Sequence, residues 1–219
     1  MNILITGANR GIGLELTKQY SSQGHHVFAL CRSTSSDLDR CKNTSVITGV
    51  DVTDNDTIIQ ASKKCPNQID LLINNAGILK RVSLDTFDEK IIQDQWEINA
   101  MGPLRVIKAF QNQLVHGSKL ALITSRMGSI KDNDSGSHYG YRMSKAALNM
   151  AGKSLSIDLN DLGIAVAIIH PGWVKTDMTG QTGHYTVDIA ASQIRDRIDD
   201  LNLSNSGSFW HSNGDILPW

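Results

Sequence analysis

Several scarcities narrow the field before any motif is considered. Cysteine is sparse: Cys31, Cys41 and Cys65 are odd in number and show no C-x-x-C spacing. That argues against a disulfide framework and a thiolate metal site, and fits free thiols in a reducing compartment. Histidine offers no better ligand pattern, because the adjacent His25 and His26 would point to opposite faces of a strand and could not grip one ion. Long apolar runs are absent, so no membrane span is expected. An apparent strand starting at Asn2 leaves little room for a charged and apolar leader, and a cytoplasmic location is expected. Excess charge is also missing. Lys plus Arg number 21 against 22 Asp plus Glu, a net charge of -1, so whole-molecule electrostatics predict neither a nucleic-acid nor an anionic-membrane partner.

What is present suits a globular chain. Its 219 residues are 40% hydrophobic and 20% charged, enough for one large domain with its own core. No low-complexity linker, repeat period or charge block marks a second domain. Continuous apolar runs recur at Asn2 to Thr6, His26 to Cys31, Ser45 to Val50, Ile69 to Asn74, Lys119 to Thr124 and Ile164 to His170. Runs that are apolar throughout, rather than alternating, belong to strands buried on both faces. Helix-length segments lie between them, notably Ile12 to Tyr20, Asp88 to His116 and Tyr139 to Leu162. Alternation of this kind predicts a doubly wound α/β sheet, mainly parallel, and Ser208 to His211 would add a seventh, edge strand. Ser33 to Ser36 and Lys131 to Ser137 are polar enough to be loops.

The chemistry-bearing residues fall at strand ends. Between the first strand and first helix stands Thr6-Gly7-Ala8-Asn9-Arg10-Gly11-Ile12-Gly13. Glycines there let the backbone turn tightly and approach a ligand, and a helix N-terminus offers unpaired N–H groups to a pyrophosphate; alone, the pattern is equally a plain tight turn. Its spacing is G-x-x-x-G-x-G. Further along come Asp51-Val52, Asn74-Asn75-Ala76-Gly77, Asn99, Ser125, Tyr141-Arg142-Met143-Ser144-Lys145 and Pro171-Gly172-Trp173-Val174-Lys175-Thr176.

In that order and spacing the set resembles the short-chain dehydrogenase/reductase family, and the closing Ser206 to Phe209 with Pro218-Trp219 is similar to its small carbonyl-reductase-like branch, which includes C-factor and sniffer proteins. The resemblance covers most of the chain. It implies a single-domain Rossmann fold and an oxidoreductase acting on a small-molecule carbonyl or alcohol, with Asn99, Ser125, Tyr141 and Lys145 as catalytic residues. It also implies cofactor contacts from Gly7, Asn9, Arg10, Gly11, Ile12, Gly13, Arg32, Asp51, Val52, Asn75, Ala76, Gly77, Tyr141, Lys145, Pro171, Gly172, Val174 and Thr176. By the same likeness a homodimer through the two long helices is expected.

Tyr141 and Lys145, four apart, share a helix face, and an ammonium near a phenol should lower its pKa and make it a usable acid/base. Tyr139 lacks such a partner, since four residues on stands Met143. Cys31-Arg32 follows the second strand where an acidic residue would select NAD, so Arg32 with Arg10 predicts NADP(H). The competing reading is a nucleotide-binding signalling protein with little turnover. A sugar epimerase is disfavoured by the short chain and the glycine spacing.

Overall fold

The computed structural model describes residues 1–219. Seven strands form one sheet in the order β3-β2-β1-β4-β5-β6-β7, every neighbouring pair parallel. They are β1 (Asn2–Thr6), β2 (His26–Leu30), β3 (Thr44–Ile47), β4 (Ile69–Asn74), β5 (Leu114–Ile123), β6 (Ala165–His170) and β7 (Phe209–His211). The helices are α1 (Gly11–Ser22), α2 (Ser36–Asp39), α3 (Asn55–Ser62), α4 (Glu89–Trp96), α5 (Gly102–Phe110), α6 (Tyr139–Asp158) and α7 (Val187–Asp199). Strand order reverses between β1 and β4, which opens a crevice at the carboxyl ends of the strands.

The central strands β1, β4 and β6 bury both faces, which is why their sequences are apolar without alternation. Ile3, Ile5, Leu71, Ile73, Ala121 and Ala167 face one layer with Leu16 and Tyr20 of α1 and Ile194 and Ile198 of α7. Leu4, Leu72, Leu120, Leu122 and Val166 face the other layer, with Ile58 of α3, Val106 and Phe110 of α5, and Leu148 of α6. None of the helices is long and apolar enough to cross a membrane.

The expected helix over Asp88 to His116 is four helical pieces and the start of a strand. α4 passes into a π-helical turn, Glu97–Met101, before α5, and a 3₁₀ turn over Gln111–Gln113 ends the segment. β5 then starts at Leu114, five residues before the apolar run predicts, because its first half pairs only through Leu114 with Ile69 and the register shifts before Leu71. Helix propensity does not register that long-range pairing. α6 ends at Asp158 instead of Leu162, and β3 stops at Ile47. Beyond β7 the chain folds back: Leu217 N–H donates to the Phe209 carbonyl at 2.8 Å, and His211 N–H to the Asp215 carbonyl at 2.8 Å.

Gly13 shows how tightly α1 sits on the turn before it. A Cβ at Gly13 would lie 2.3 Å from the Gly7 carbonyl oxygen and 2.5 Å from Asn75 Nδ2, so backbone must move to accept one. Gly13→Ala is expected to cost roughly 1 to 3 kcal/mol by overpacking, read as a fall in Tm of about 2 to 4 °C per kcal/mol. An unchanged Tm would show that the turn yields freely.

Candidate active site

The crevice at the β1/β4 switch encloses a volume of about 460 Å³. Gly7, Asn9, Arg10, Gly11, Ile12, Arg32, Asp51, Val52, Asn75, Ala76, Gly77 and Thr176 all line it. Gly13 lies behind them, packed on the Gly7 carbonyl. Gly7 and Gly11 hold φ of +65° and +53°, a region that costs a residue with a Cβ. The first turn of α1 has no acidic residue and no capping side chain, so its orphan N–H groups face the crevice without an internal partner.

Thr6 and Asn75 weld the two sides of the switch. Thr6 Oγ1 accepts from the N–H groups of Asn75 and Ala76, each at 3.1 Å, and Asn75 Nδ2 donates to the carbonyls of Thr6 and Gly7. Val52 packs against α5, where a Cβ on Gly102 would come within 2.9 Å of Val52 Cγ2. Asp51 accepts from the backbone N–H and the hydroxyl of Thr53. Burial pushes its carboxyl pKa up, yet those bonds and the Arg32 charge outweigh burial and hold it below the ordinary value. Arg10 reaches Asp177 at 3.9 Å with both side chains exposed, an association worth little.

The catalytic candidates do not line this crevice; they gather beside it, around Gly77 and Ile78, which do. β5 ends beside Ser125, whose Oγ accepts from Met127 N–H at 3.1 Å. α6 presents Tyr141 and Lys145 one turn apart, 7% and 5% exposed. Lys145 Nζ donates to the Ile123 carbonyl at 2.9 Å and lies 5.8 Å from the centroid of the Tyr141 ring. Asn99, in the π turn, binds both backbone groups of Ile78: its Oδ1 accepts from the N–H at 2.8 Å, and its Nδ2 donates to the carbonyl at 2.9 Å. The same Nδ2 donates to Ser144 Oγ at 3.0 Å. Gly77 separates Asn99 from Lys145, since a Cβ there would meet Asn99 Oδ1 at 3.1 Å and Lys145 Nζ at 3.7 Å. Of the Pro171 to Thr176 stretch, Thr176 reaches the crevice, Val174 is buried and bridges to Tyr185, and Gly172 at φ +83° has the Tyr185 ring against it. Pro171 offers its carbonyl to Ser212 Oγ at 3.2 Å.

The electrostatics correct one expectation. Burial pushes the Tyr141 phenol up to about 12, with the nearby Ser125 hydroxyl pulling the other way, and burial pulls Lys145 down to about 8. The ammonium therefore does not acidify the phenol in the protein alone, because it sits against the ring and the Ile123 carbonyl and because desolvation acts on both groups. At neutral pH Tyr141 is protonated and Lys145 charged.

Thr6 and Ser144 stand inside the glycine-turn and Tyr141-to-Lys145 motifs but have no role assigned from the sequence there, and Ile98, lining the crevice from the π turn, falls outside every motif. Ser144 could have been found as the residue three after Tyr141, where its Oγ donates to the Tyr141 carbonyl at 2.9 Å. Nothing local in the sequence marks Ile98 or shows that Thr6 bonds across to Asn75 and Ala76.

The family model for short chain dehydrogenase matches residues 1–185. The chain is 36% identical over 224 residues to "1-hydroxy-2-glutathionyl-2-methyl-3-butene dehydrogenase" of Rhodococcus sp. (strain AD45), covering 99% of each protein. It is 41% identical over 162 residues to "C-signal" of Myxococcus xanthus, covering 73% of this chain and 98% of that one. Among solved structures it superposes on an NADPH-bound carbonyl reductase from chicken fatty liver with a TM-score of 0.92 at 30% identity, covering 100% and 98% of the two chains. Carbonyl reductase Sniffer of D. melanogaster gives 0.91 at 30% identity, covering 100% and 99%.

The buried lysine yields a stability prediction. Between pH 8 and Lys145's ordinary value of 10.5, the unfolded chain keeps the proton that the folded chain has released, so folding gains free energy as pH rises through that window. Lys145→Met should be more stable than the parent at pH 7, by up to roughly 3 kcal/mol, with the difference shrinking from pH 8 to 10. Urea unfolding at pH 7 and 10 checks this, and a variant weaker than the parent at pH 7 would contradict it.

Proposed function

The chain belongs to the short-chain dehydrogenase family, and from that premise we propose that it is an NADP(H)-dependent carbonyl reductase, exchanging a hydride between a nicotinamide cofactor and a carbonyl or alcohol carbon. The observation that carries this reading is the buried Ser125, Tyr141 and Lys145 set beside a crevice lined by an uncapped helix start, Arg10 and Arg32. Likeness to an NADPH-bound carbonyl reductase at 30% identity supports it.

The residues fit the cofactor. The free N–H groups of α1 suit a pyrophosphate. Arg32 has no acidic partner among the ion pairs and, with Arg10, suits a 2′-phosphate. Asp51, Val52, Asn75, Ala76 and Gly77 would border the adenosine and the second ribose, Lys145 would hold the nicotinamide ribose, and Pro171 to Thr176 would shape the nicotinamide end. Bound there, the cofactor supplies the hydride. Ser125 Oγ and Tyr141 Oη would hold the carbonyl oxygen, and Tyr141, protonated at neutral pH, would hand it a proton. A protonated phenol suits the reductive direction, in which it gives up its proton. Asn99 acts at one remove, fixing Ile78 and Ser144 around the site.

Exposed Trp173, Tyr139 and Met178 favour a substrate with an apolar body. The likeness to C-signal favours a second reading, signalling with little turnover, which the complete catalytic set weighs against. A homodimer is part of the proposal: Met143, Met150 and Ile157 repeat every seven residues along α6 and stand exposed as one apolar stripe, and burying such a face is the usual reward of association. The free cysteines fit a cytoplasmic setting.

NADPH oxidation over aldehydes, ketones and quinones, run with the reverse reaction on a glutathionyl alcohol, tests the activity. Tyr141→Phe should lower kcat at least about a hundredfold by removing the transferable proton while leaving NADPH affinity near that of the parent; retained turnover would refute the acid role. For the cofactor, Arg32→Asp should weaken NADPH by about tenfold or more, the loss of a charge-assisted bond being about 1.5 to 3 kcal/mol, and should improve NADH. Nucleotide fluorescence titration showing no change would remove Arg32 from the phosphate site.

A further inference from the structure

One buried polar contact lies outside every role given so far. Thr124, the residue before Ser125, donates from Oγ1 to Asn149 Oδ1 at 2.6 Å. Both side chains are enclosed, at 2% and 3% exposure. Asn149 stands on α6 one turn beyond Lys145. Its amide Nδ2 is buried with no partner, directed at the 3₁₀ turn Arg126–Gly128 that follows Ser125. That turn rests on the helix backbone: a Cβ at Gly128 would lie 2.7 Å from the Lys145 carbonyl carbon, 2.9 Å from Ala146 N and 2.9 Å from Asn149 Nδ2.

A half-satisfied amide is a poor way to stabilise a core, since an orphaned buried donor costs free energy that an apolar side chain would not incur. Asn149 is therefore better explained by what its oxygen holds. We propose that Asn149 is a positioning residue, which through Thr124 locks the end of β5 and the Ser125–Gly128 turn onto α6, so that Ser125 faces Tyr141 at a fixed separation. The lock works with the bond from Lys145 Nζ to the Ile123 carbonyl, giving the strand end two anchors one turn apart on α6: one from the catalytic lysine itself, the other from a residue given no contact with substrate or cofactor. Gly128 is the third part, its missing side chain allowing the close approach.

The inference rests on the carbonyl-reductase reading for its catalytic consequence, and on geometry alone for the lock. Thr124→Val combined with Asn149→Ala removes both partners together, which leaves no new orphan. The expected result is a Tm close to the parent's and an unchanged NADPH affinity. Amide exchange should be faster over residues 123–130, and kcat should fall about tenfold or more for the most active carbonyl of the panel, as a displaced catalytic group requires. Gly128→Ala, which lifts the turn from α6 by another route, should show the same exchange and kcat changes. Unchanged exchange overturns the lock. Faster exchange with unchanged kcat overturns its positioning role. A parent protein that reduces no carbonyl would count against the functional reading, while the exchange still decides whether the lock exists.

Discussion

The site depends on one interaction, the bond from Lys145 Nζ to the Ile123 carbonyl. It forms where water is excluded, so a cation is held at a desolvation cost that the surrounding packing must sustain. Its return is mechanical. It fastens α6 to the last residue of β5, and with α6 come Tyr141 and Ser144. Ser144 holds Asn99, Asn99 clips Ile78, and the segment before Ile78 runs through Ala76 and Asn75 to Thr6 and the glycine turn. One continuous set of bonds thus spans the crevice, from the group that would move a proton to the turn that would hold a pyrophosphate.

The parts of this arrangement that are local in the chain were legible beforehand. The turn from Gly7 to Gly13, the four-residue step from Tyr141 to Lys145, and the apolar runs of the strands each state their geometry within a dozen residues. The residues that line the crevice come from strand ends, and in a parallel sheet these share one edge, so finding the strands located most of the lining. Less legible were features set by pairing across the chain. The early start of β5 depends on Ile69 opposite Leu114, and the π turn that aims Asn99 inward depends on Ile78 accepting its amide.

The expected lowering of the Tyr141 pKa, though not its place as proton donor, is opposed by a physical effect that spacing cannot express. A four-residue step puts an ammonium near a phenol, but how far each is sunk into the protein determines what that nearness does. Here both groups are enclosed, and desolvation moves the two pKa values apart, the phenol upward and the ammonium downward. The substrate side was equally hidden from the sequence. Tyr185 lies on the Gly172 turn and near His211 of β7, and Ser137 and His138 both enter α6 with φ of +54°, an arrangement that neighbouring structure has to impose.

The fold-back after β7 has a consequence for how the molecule behaves in company. An open parallel sheet has two free margins, each a row of unpaired peptide groups that could template another chain. On the β7 side, Leu217 and Asp215 occupy that row with an antiparallel return, which denies it to strangers. The opposite margin, β3, is only four residues long and offers a poor template. Growth by strand addition is therefore discouraged at both ends of the sheet.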